Sequence, residues 1–125
     1  MSSKRFLLDT QILLWDLADD ERLTARHDEI LLGDAPKFLS IASLWEIAVK
    51  VRKKKLIMPD RLLHTLAESD VRLLPISPEH ALRVAELPDF HGDPFDLLIV
   101  AQAQLEELTL VTADANIARY DVLLA

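Results

Sequence analysis

The stretch RFLLDTQILLWDL, residues 5–17, decides the fold, because a short apolar run changes there to helical spacing. The run 5–9 has the continuous hydrophobicity of a buried strand and stops at Asp9. Directly after Asp9, apolar side chains recur at Ile12, Leu13 and Leu17, as they do on one face of a helix. Residues 5–17 therefore predict a strand that leads straight into a helix, with an aspartate at the junction.

The same alternation of strand and helix continues along the chain. Further strands are predicted at 37–41, 71–76, 108–112 and 122–124, and helices at 24–32, 43–53, 59–67, 77–85 and 95–105. Thr24 caps the first of these helices and Gly33 ends it, whereas 88–94 is a loop and a short helical turn begins at Asp114. Strands that alternate with helices predict an α/β domain of three layers, α/β/α, with a central, mainly parallel sheet. No linker or repeat interrupts residues 1–125, which predicts a single domain.

The composition excludes several functional classes. The chain has 125 residues, 50% of them hydrophobic, and no cysteine, which excludes disulfide frameworks, zinc–cysteine sites and cysteine nucleophiles. Its 2 glycines are too few for a phosphate-binding loop or a dinucleotide fingerprint. The histidines lie too far apart for a metalloprotease pair. No targeting signal and no apolar run long enough to span a membrane is visible, so we expect a cytoplasmic protein without membrane contact. The net charge of −7 opposes broad attraction to nucleic acid.

Four carboxylates stand at positions that the predicted topology brings together. Asp9 ends the first strand, Asp96 lies at a helix start, and Asp114 follows the strand 108–112. Each aspartate alone is typical of a helix cap, and Glu46 alone is typical of a surface ion pair with Lys50 one turn later. However, the ends of parallel strands meet at one edge of a sheet, where clustered carboxylates repel each other unless a cation intervenes. Oxygen ligands favour Mg²⁺, for which Mn²⁺ can substitute, and this pattern predicts hydrolysis of a phosphodiester.

These residues resemble the PIN-domain ribonucleases, and among them the VapC-type toxins of toxin–antitoxin pairs. The likeness covers essentially the whole chain and is carried by LDT (8–10), SIASLWEIAVK (40–50), HGDPFD (91–96), AQA (101–103) and LVTAD (110–114). The resemblance implies a PIN-like fold and a Mg²⁺-dependent endoribonuclease. Its metal site would consist of Asp9, Glu46, Asp96 and Asp114, with hydroxyl hydrogen bonds from Thr112. It also implies an RNA substrate, a VapB-type antitoxin, and a homodimer or a toxin–antitoxin hetero-oligomer.

The chain departs from this family at two positions. Leu97 stands where relatives often have arginine, so one expected surface or phosphate contact is missing. Lys54 stands where many relatives have a glycine that closes the helix of Glu46, so we expect this helix to run on or to fray.

Other polar residues have two interpretations each. Arg52, Lys53, Lys54 and Lys55 are either contacts to RNA phosphates or a solvated helix end that complements the helix dipole. Asn116 either orients a water molecule or caps the short turn, and the cap is favoured. Asp93 is favoured as a turn residue over a metal ligand.

Three alternative functions remain open from the sequence. The chain could be a PIN-domain nuclease of RNA processing without a toxin role, or a noncatalytic metal-binding domain. A phosphoacceptor receiver domain has a similar size and architecture. It is disfavoured because Leu8 precedes Asp9, where a receiver domain has a pair of acidic residues.

Overall fold

A parallel sheet forms the centre of the computed structural model, which describes residues 4–90 and 92–125. His91 of the HGDPFD stretch lies outside the described residues. The strands are β1 (Phe6–Leu8), β2 (Lys37–Ser40), β3 (Val71–Leu74), β4 (Thr109–Val111) and β5 (Leu123–Leu124). They lie in the order β3-β2-β1-β4-β5, and every neighbouring pair is parallel. The predicted α/β fold with a central, mainly parallel sheet is thus confirmed.

Helices cover both faces of this sheet. They are α1 (Thr10–Leu17), α2 (Ala25–Leu32), α3 (Ile41–Arg52), α4 (Leu62–Glu68), α5 (Pro78–Arg83) and α6 (Pro94–Glu106), with 3₁₀ turns at Val84–Glu86 and Ile117–Arg119. Side chains alternate along each strand, so Leu8 packs on Ile12 and Ile47 on one face, whereas Leu7 packs with Ile99 on the other. Two apolar cores result, as in the predicted three layers. Within the described ranges, no helix is long and apolar enough to cross a membrane.

The order of the strands creates a crevice at one edge of the sheet. The chain runs from β1 outward through β2 to β3 and then returns to place β4 on the other side of β1. At such a switch point the connections leave in opposite directions, and ligands of open α/β sheets bind there, outside the carboxyl ends of the strands. The N–H of Asp9 donates to the carbonyl of Val111 at 2.9 Å, which joins the ends of the two strands that flank the crevice.

Serine and threonine caps define several helix starts. Ser40 Oγ accepts the N–H of Ala42 at 2.9 Å, so α3 begins at Ile41 and not at the predicted residue 43. In α5, Ser77 and His80 exchange hydrogen bonds between side chain and backbone, at 3.1 Å and 2.9 Å. The His80 ring is buried, and its Nε2 lies 3.0 Å from Glu106 Oε2, which ties α5 to α6.

The start of α4 and the end of α3 also differ from the prediction. The helix predicted from residue 59 begins only at Leu62, because Arg61 has a left-handed backbone with φ 48° that cannot continue into a helix before it. The expectation that α3 runs on or frays at Lys54 is wrong. Lys54 adopts a left-handed backbone with φ 59°. Its N–H donates to the backbone carbonyl of Val51, and the N–H of Lys55 donates to the backbone carbonyl of Lys50. The helix therefore ends in a Schellman turn, built at a cost of about 1 kcal/mol because a side chain occupies the left-handed position.

Candidate active site

Five carboxylates line a single cavity at the carboxyl edge of β1 and β4. Its volume is about 330 Å³. The lining residues are Asp9, Thr10, Gln11, Trp15, Glu46, Lys50, Asp93, Asp96, Ala113 and Asp114. All four carboxylates that the sequence analysis placed in an acidic site thus contribute to this one cavity.

Asp9 is the most buried aspartate of the cavity, with 4% of its surface exposed. It occupies the N-cap position of α1, but its side chain makes no capping hydrogen bond there. Its Oδ2 instead accepts the hydroxyl of Thr112 at 2.9 Å. Burial raises the pKa of Asp9 to about 6, against the lowering effect of the Thr112 hydrogen bond, and the negative charge of Glu46 raises it further.

Asp93 and Asp96 have different roles at the start of α6: Asp93 caps the helix, and Asp96 faces the cavity. Asp93 is the N-cap, and its Oδ1 accepts the N–H of Asp96 at 2.8 Å, so the turn role predicted for Asp93 agrees with its geometry. Asp96 is left to face the cavity. Burial, then the charges of Asp93, Asp9 and Glu46, raise its pKa to about 7. Burial, and then repulsion within the cluster, therefore make the charged form of Asp96 costly in the absence of a cation.

Glu46 is both an ion-pair partner and an inward carboxylate. Its side chain is 7% exposed, and its Oε2 lies 2.9 Å from Lys50 Nζ on the next turn of α3. Its other oxygen, Oε1, is buried and has no hydrogen-bond partner among residues 4–90 and 92–125. A buried carboxylate oxygen without a donor is costly, so this atom marks a place where a cation or a bound water fits.

Asp114 has the capping role that was expected of Asn116. Asp114 Oδ1 accepts the N–H groups of Asn116, at 2.8 Å, and of Ile117, at 3.4 Å. The backbone N–H of Asp114 donates to Thr112 Oγ1 at 3.0 Å, which connects the turn to Asp9. Asn116 occupies the N-cap position of this 3₁₀ turn, as favoured, but its exposed side chain makes no capping hydrogen bond among the described residues.

The basic run lies outside the cavity. The side chains of Arg52, Lys53, Lys54 and Lys55 are exposed where α3 ends, and none of them is among the residues that line the acidic cavity. Lys54 and Lys55 border a separate apolar depression with Ile57. This basic run therefore forms a surface separate from the acidic cavity.

Lys50, Thr10 and Trp15 also line the cavity, and none of them was predicted as a site residue from the sequence. Lys50 lines the cavity, and its spacing of four residues from Glu46 was the available signal. Thr10 Oγ1 donates to Ser43 Oγ at 2.7 Å in a buried contact that holds α1 against α3 beneath the carboxylates. The indole Nε1 of Trp15 is buried and has no partner among the residues that the structure describes, a feature that no sequence pattern would disclose.

The donor set of the cavity consists of oxygen atoms and one ammonium group. Across the described ranges, no three aspartate, glutamate or histidine side chains form a ready-made group around one metal position. Carboxylate oxygens are nevertheless the ligands that Mg²⁺ and Mn²⁺ prefer. The cavity is thus an acidic pocket with the chemistry of a hard-cation site.

Comparison with solved structures gives chains of the same fold. One is VapBC2 from Rickettsia felis bound to a promoter DNA fragment, at 21% identity, TM-score 0.70 and 95% coverage of each chain. A toxin–antitoxin complex from Klebsiella pneumoniae has 21% identity and TM-score 0.65, over 99% of this chain and 97% of that one. DNA-bound VapBC from Salmonella typhimurium has 18% identity and TM-score 0.67, over 97% and 96%. At these identities the likeness establishes the fold.

Comparison of the sequence itself gives the family. A search of curated proteins gives no significant match. The family model of the PIN domain matches residues 6–123, which include all the carboxylates of the cavity. The fold, the acidic cavity at its switch point and this match together show that the chain belongs to the PIN domain family.

Proposed function

We propose that the chain is a VapC-type toxin, a divalent-metal-dependent endoribonuclease that a VapB-type antitoxin neutralises. PIN domains are nucleases, and the similar solved structures include VapBC and toxin–antitoxin complexes. One observation carries the proposal: Asp9, Glu46, Asp96 and Asp114 come from four separate parts of the chain and line one cavity at the switch point. A carboxylate cluster of this kind costs stability, so it is expected to serve a function.

The residues of the cavity fit a hard divalent cation. Glu46 Oε1 is buried and has no donor within the part of the chain that the structure describes, and burial together with mutual repulsion raises the pKa of Asp9 and of Asp96. A cation would relieve both effects. We propose Asp9, Asp96 and Glu46 as its direct ligands, and Asp114 for a second ion or an outer role. Mg²⁺ is the proposed metal, with Mn²⁺ as a substitute.

The protein's own groups prepare the site for hydrolysis. Thr112 holds one oxygen of Asp9 in place, and Thr10 with Ser43 holds the helix starts that carry the carboxylates. Glu46, as a ligand or as the base that orients the attacking water, is proposed to assist removal of the proton from that water. A divalent ion, when bound, supplies a Lewis acid for the phosphate and acidifies a water molecule. Attack by water on phosphorus leaves a 5′-phosphate and a 3′-hydroxyl.

The proposed partners follow from charge. The chain carries −7, so an antitoxin that covers the acidic cavity would bring basic side chains. Arg52, Lys53, Lys54 and Lys55 are proposed to meet RNA phosphates beside the cavity. A homodimer, alone or within a toxin–antitoxin hetero-oligomer, and a cytoplasmic location belong to the same proposal.

Incubation of the purified protein with total RNA tests the nuclease. Wild type, Asp9→Asn and the exposed control Asp60→Asn are compared in Mg²⁺, Mn²⁺ or EDTA, and the fragment ends are mapped. We expect metal-dependent cuts that bear 5′-phosphates, present in wild type and in Asp60→Asn and absent in Asp9→Asn. Cyclic phosphate ends, or cleavage by Asp9→Asn, would contradict the assignment.

Expression in cells tests the toxin role separately. Wild type is expected to arrest growth, and Asp9→Asn is expected to leave growth unchanged at the same protein level. Co-expression of a VapB-type antitoxin that binds this chain is expected to restore growth. Cleavage in vitro without growth arrest would favour an RNA-processing nuclease.

A further inference from the structure

Lys50 brings an ammonium group into an otherwise acidic cavity. The cavity is lined by Asp9, Glu46, Asp93, Asp96 and Asp114, and Lys50 is the basic residue among its described lining. Lys50 lies one turn after Glu46 on α3, and its Nζ is 2.9 Å from Glu46 Oε2.

The two side chains of this ion pair differ in solvent exposure. The Glu46 side chain is 7% exposed, whereas that of Lys50 is 41% exposed. An ammonium group has three N–H donors, and the contact with Glu46 uses one of them. Lys50 is therefore anchored at one side and accessible at the other, which is the arrangement of a cation that a ligand can reach.

Anionic groups surround the Lys50 ammonium. Lys50 donates to Glu46 Oε2, and the carboxylates of Asp93 and Asp96 line the same cavity. Phosphodiester oxygens that approach this cavity meet carboxylates on every other charged position. A lysine ammonium is a common point-charge ligand of phosphate, so Lys50 offers the anion a favourable contact there.

We propose that Lys50 binds the backbone phosphate of an RNA strand that lies in the acidic cavity. Its ion pair uses Glu46 Oε2, so Glu46 Oε1 stays available for the divalent cation. This inference rests on the proposed ribonuclease function and deepens it. Lys50 differs from the exposed run that ends α3, because its ammonium lies among the carboxylates themselves. It adds a positive contact for a polyanion within a site of like charge.

Binding of an unstructured RNA oligonucleotide tests the proposal without cleavage. Fluorescence anisotropy in EDTA is measured from low to moderate salt for wild type, Lys50→Met, Lys50→Arg and Lys4→Met. Lys4→Met is the matched control, because Lys4 is exposed and precedes β1, at the sheet edge opposite the cavity. Circular dichroism checks that each variant is folded.

Loss of one phosphate contact changes the salt dependence of binding. We expect Lys50→Met to bind about tenfold more weakly at low salt, with a slope of log K against log salt that is smaller by about 0.7. Lys50→Arg is expected to keep the slope, and Lys4→Met is expected to match wild type. A merely structural lysine would not change this slope.

Mn²⁺ affinity, measured by electron paramagnetic resonance, distinguishes phosphate binding by Lys50 from a role in positioning Glu46 for the metal. We expect Lys50→Met to bind Mn²⁺ at least as tightly as wild type, since a like charge is removed. Weaker Mn²⁺ binding with an unchanged salt slope would overturn the proposal and make Lys50 a positioning residue for Glu46. If wild type cleaves RNA and Lys50→Met has the wild-type slope, the role of Lys50 is refuted and the ribonuclease function stands. If wild type neither binds nor cleaves RNA, both the role of Lys50 and the proposed function are refuted.

Discussion

Replacement of Asp9 by asparagine is expected to stabilise the metal-free protein while it abolishes RNA cleavage. Burial and the nearby charge of Glu46 raise the pKa of Asp9 from 3.8 to about 6. Each pKa unit corresponds to about 1.4 kcal/mol, so ionised Asp9 costs the folded state about 3 kcal/mol. Asparagine keeps the shape of the side chain and an oxygen that accepts the hydroxyl of Thr112, but it carries no charge to desolvate.

The pH dependence follows from the direction of this shift. Because the pKa of Asp9 is higher in the folded than in the unfolded chain, the folded state binds the proton more tightly. Well below pH 3.8 both states are protonated and the penalty is absent; it grows as pH rises to about 6 and is complete near pH 8. The gain from Asp9→Asn should therefore be about 3 kcal/mol near pH 8 and only about 0.5 kcal/mol near pH 4.

Urea unfolding in EDTA, followed by tryptophan fluorescence, measures the difference. The control is Asp60→Asn, which removes the same charge at an exposed site outside the cavity. Mg²⁺ or Mn²⁺ is then expected to raise the free energy of unfolding of wild type more than that of Asp9→Asn. The reasoning is refuted if Asp9→Asn is no more stable than wild type near pH 8, or if its gain is the same near pH 4.

Three further changes test the roles of single side chains. Lys54→Gly should raise the free energy of unfolding by about 1 kcal/mol, because glycine adopts the left-handed φ of 59° without strain; Lys53→Gly, at the C-cap with its ordinary φ of −82°, should lower it in the same urea titration. Thr112→Val removes a hydrogen bond that lowers the pKa of Asp9, so the acid limb of the pH–rate profile should move to higher pH, and an unchanged limb would contradict this role. His80→Ala removes a buried ring and a helix cap, which should cost about 2 to 4 kcal/mol in thermal unfolding, while the cleavage rate of the folded protein should stay that of wild type.

The clustering of the carboxylates was predictable, because parallel strands place their carboxyl ends at the same edge of a sheet. Asp9 directly follows a strand, and Asp114 comes soon after another, so a parallel sheet must bring both to the same edge. Asp96 was predictable by the same logic, since α6 leads into β4 and must start at that edge. Glu46 was not decided by spacing alone, because a glutamate one turn before a lysine fits a surface helix equally well.

Contacts between residues far apart in the chain could not be predicted from the sequence. Thr10 and Ser43 meet because α1 packs on α3, and Asp114 takes the cap expected of Asn116 because the turn after β4 directs its carboxylate at the following N–H groups. The left-handed turn at Lys54 was also missed. A lysine adopts that conformation only where the surrounding chain outweighs its local cost.

The amino-acid sequence by itself determined the alternation of strand and helix, the apolar cores and the edge at which the carboxylates gather. These features depend on local periodicity and on the geometry that all parallel sheets share. Only the tertiary structure decided that Glu46 is buried while its partner Lys50 stays accessible, and that the pKa values of Asp9 and Asp96 are raised. Burial and distance between remote side chains set these properties, because desolvation and Coulomb energies depend on the packed arrangement and not on position along the chain.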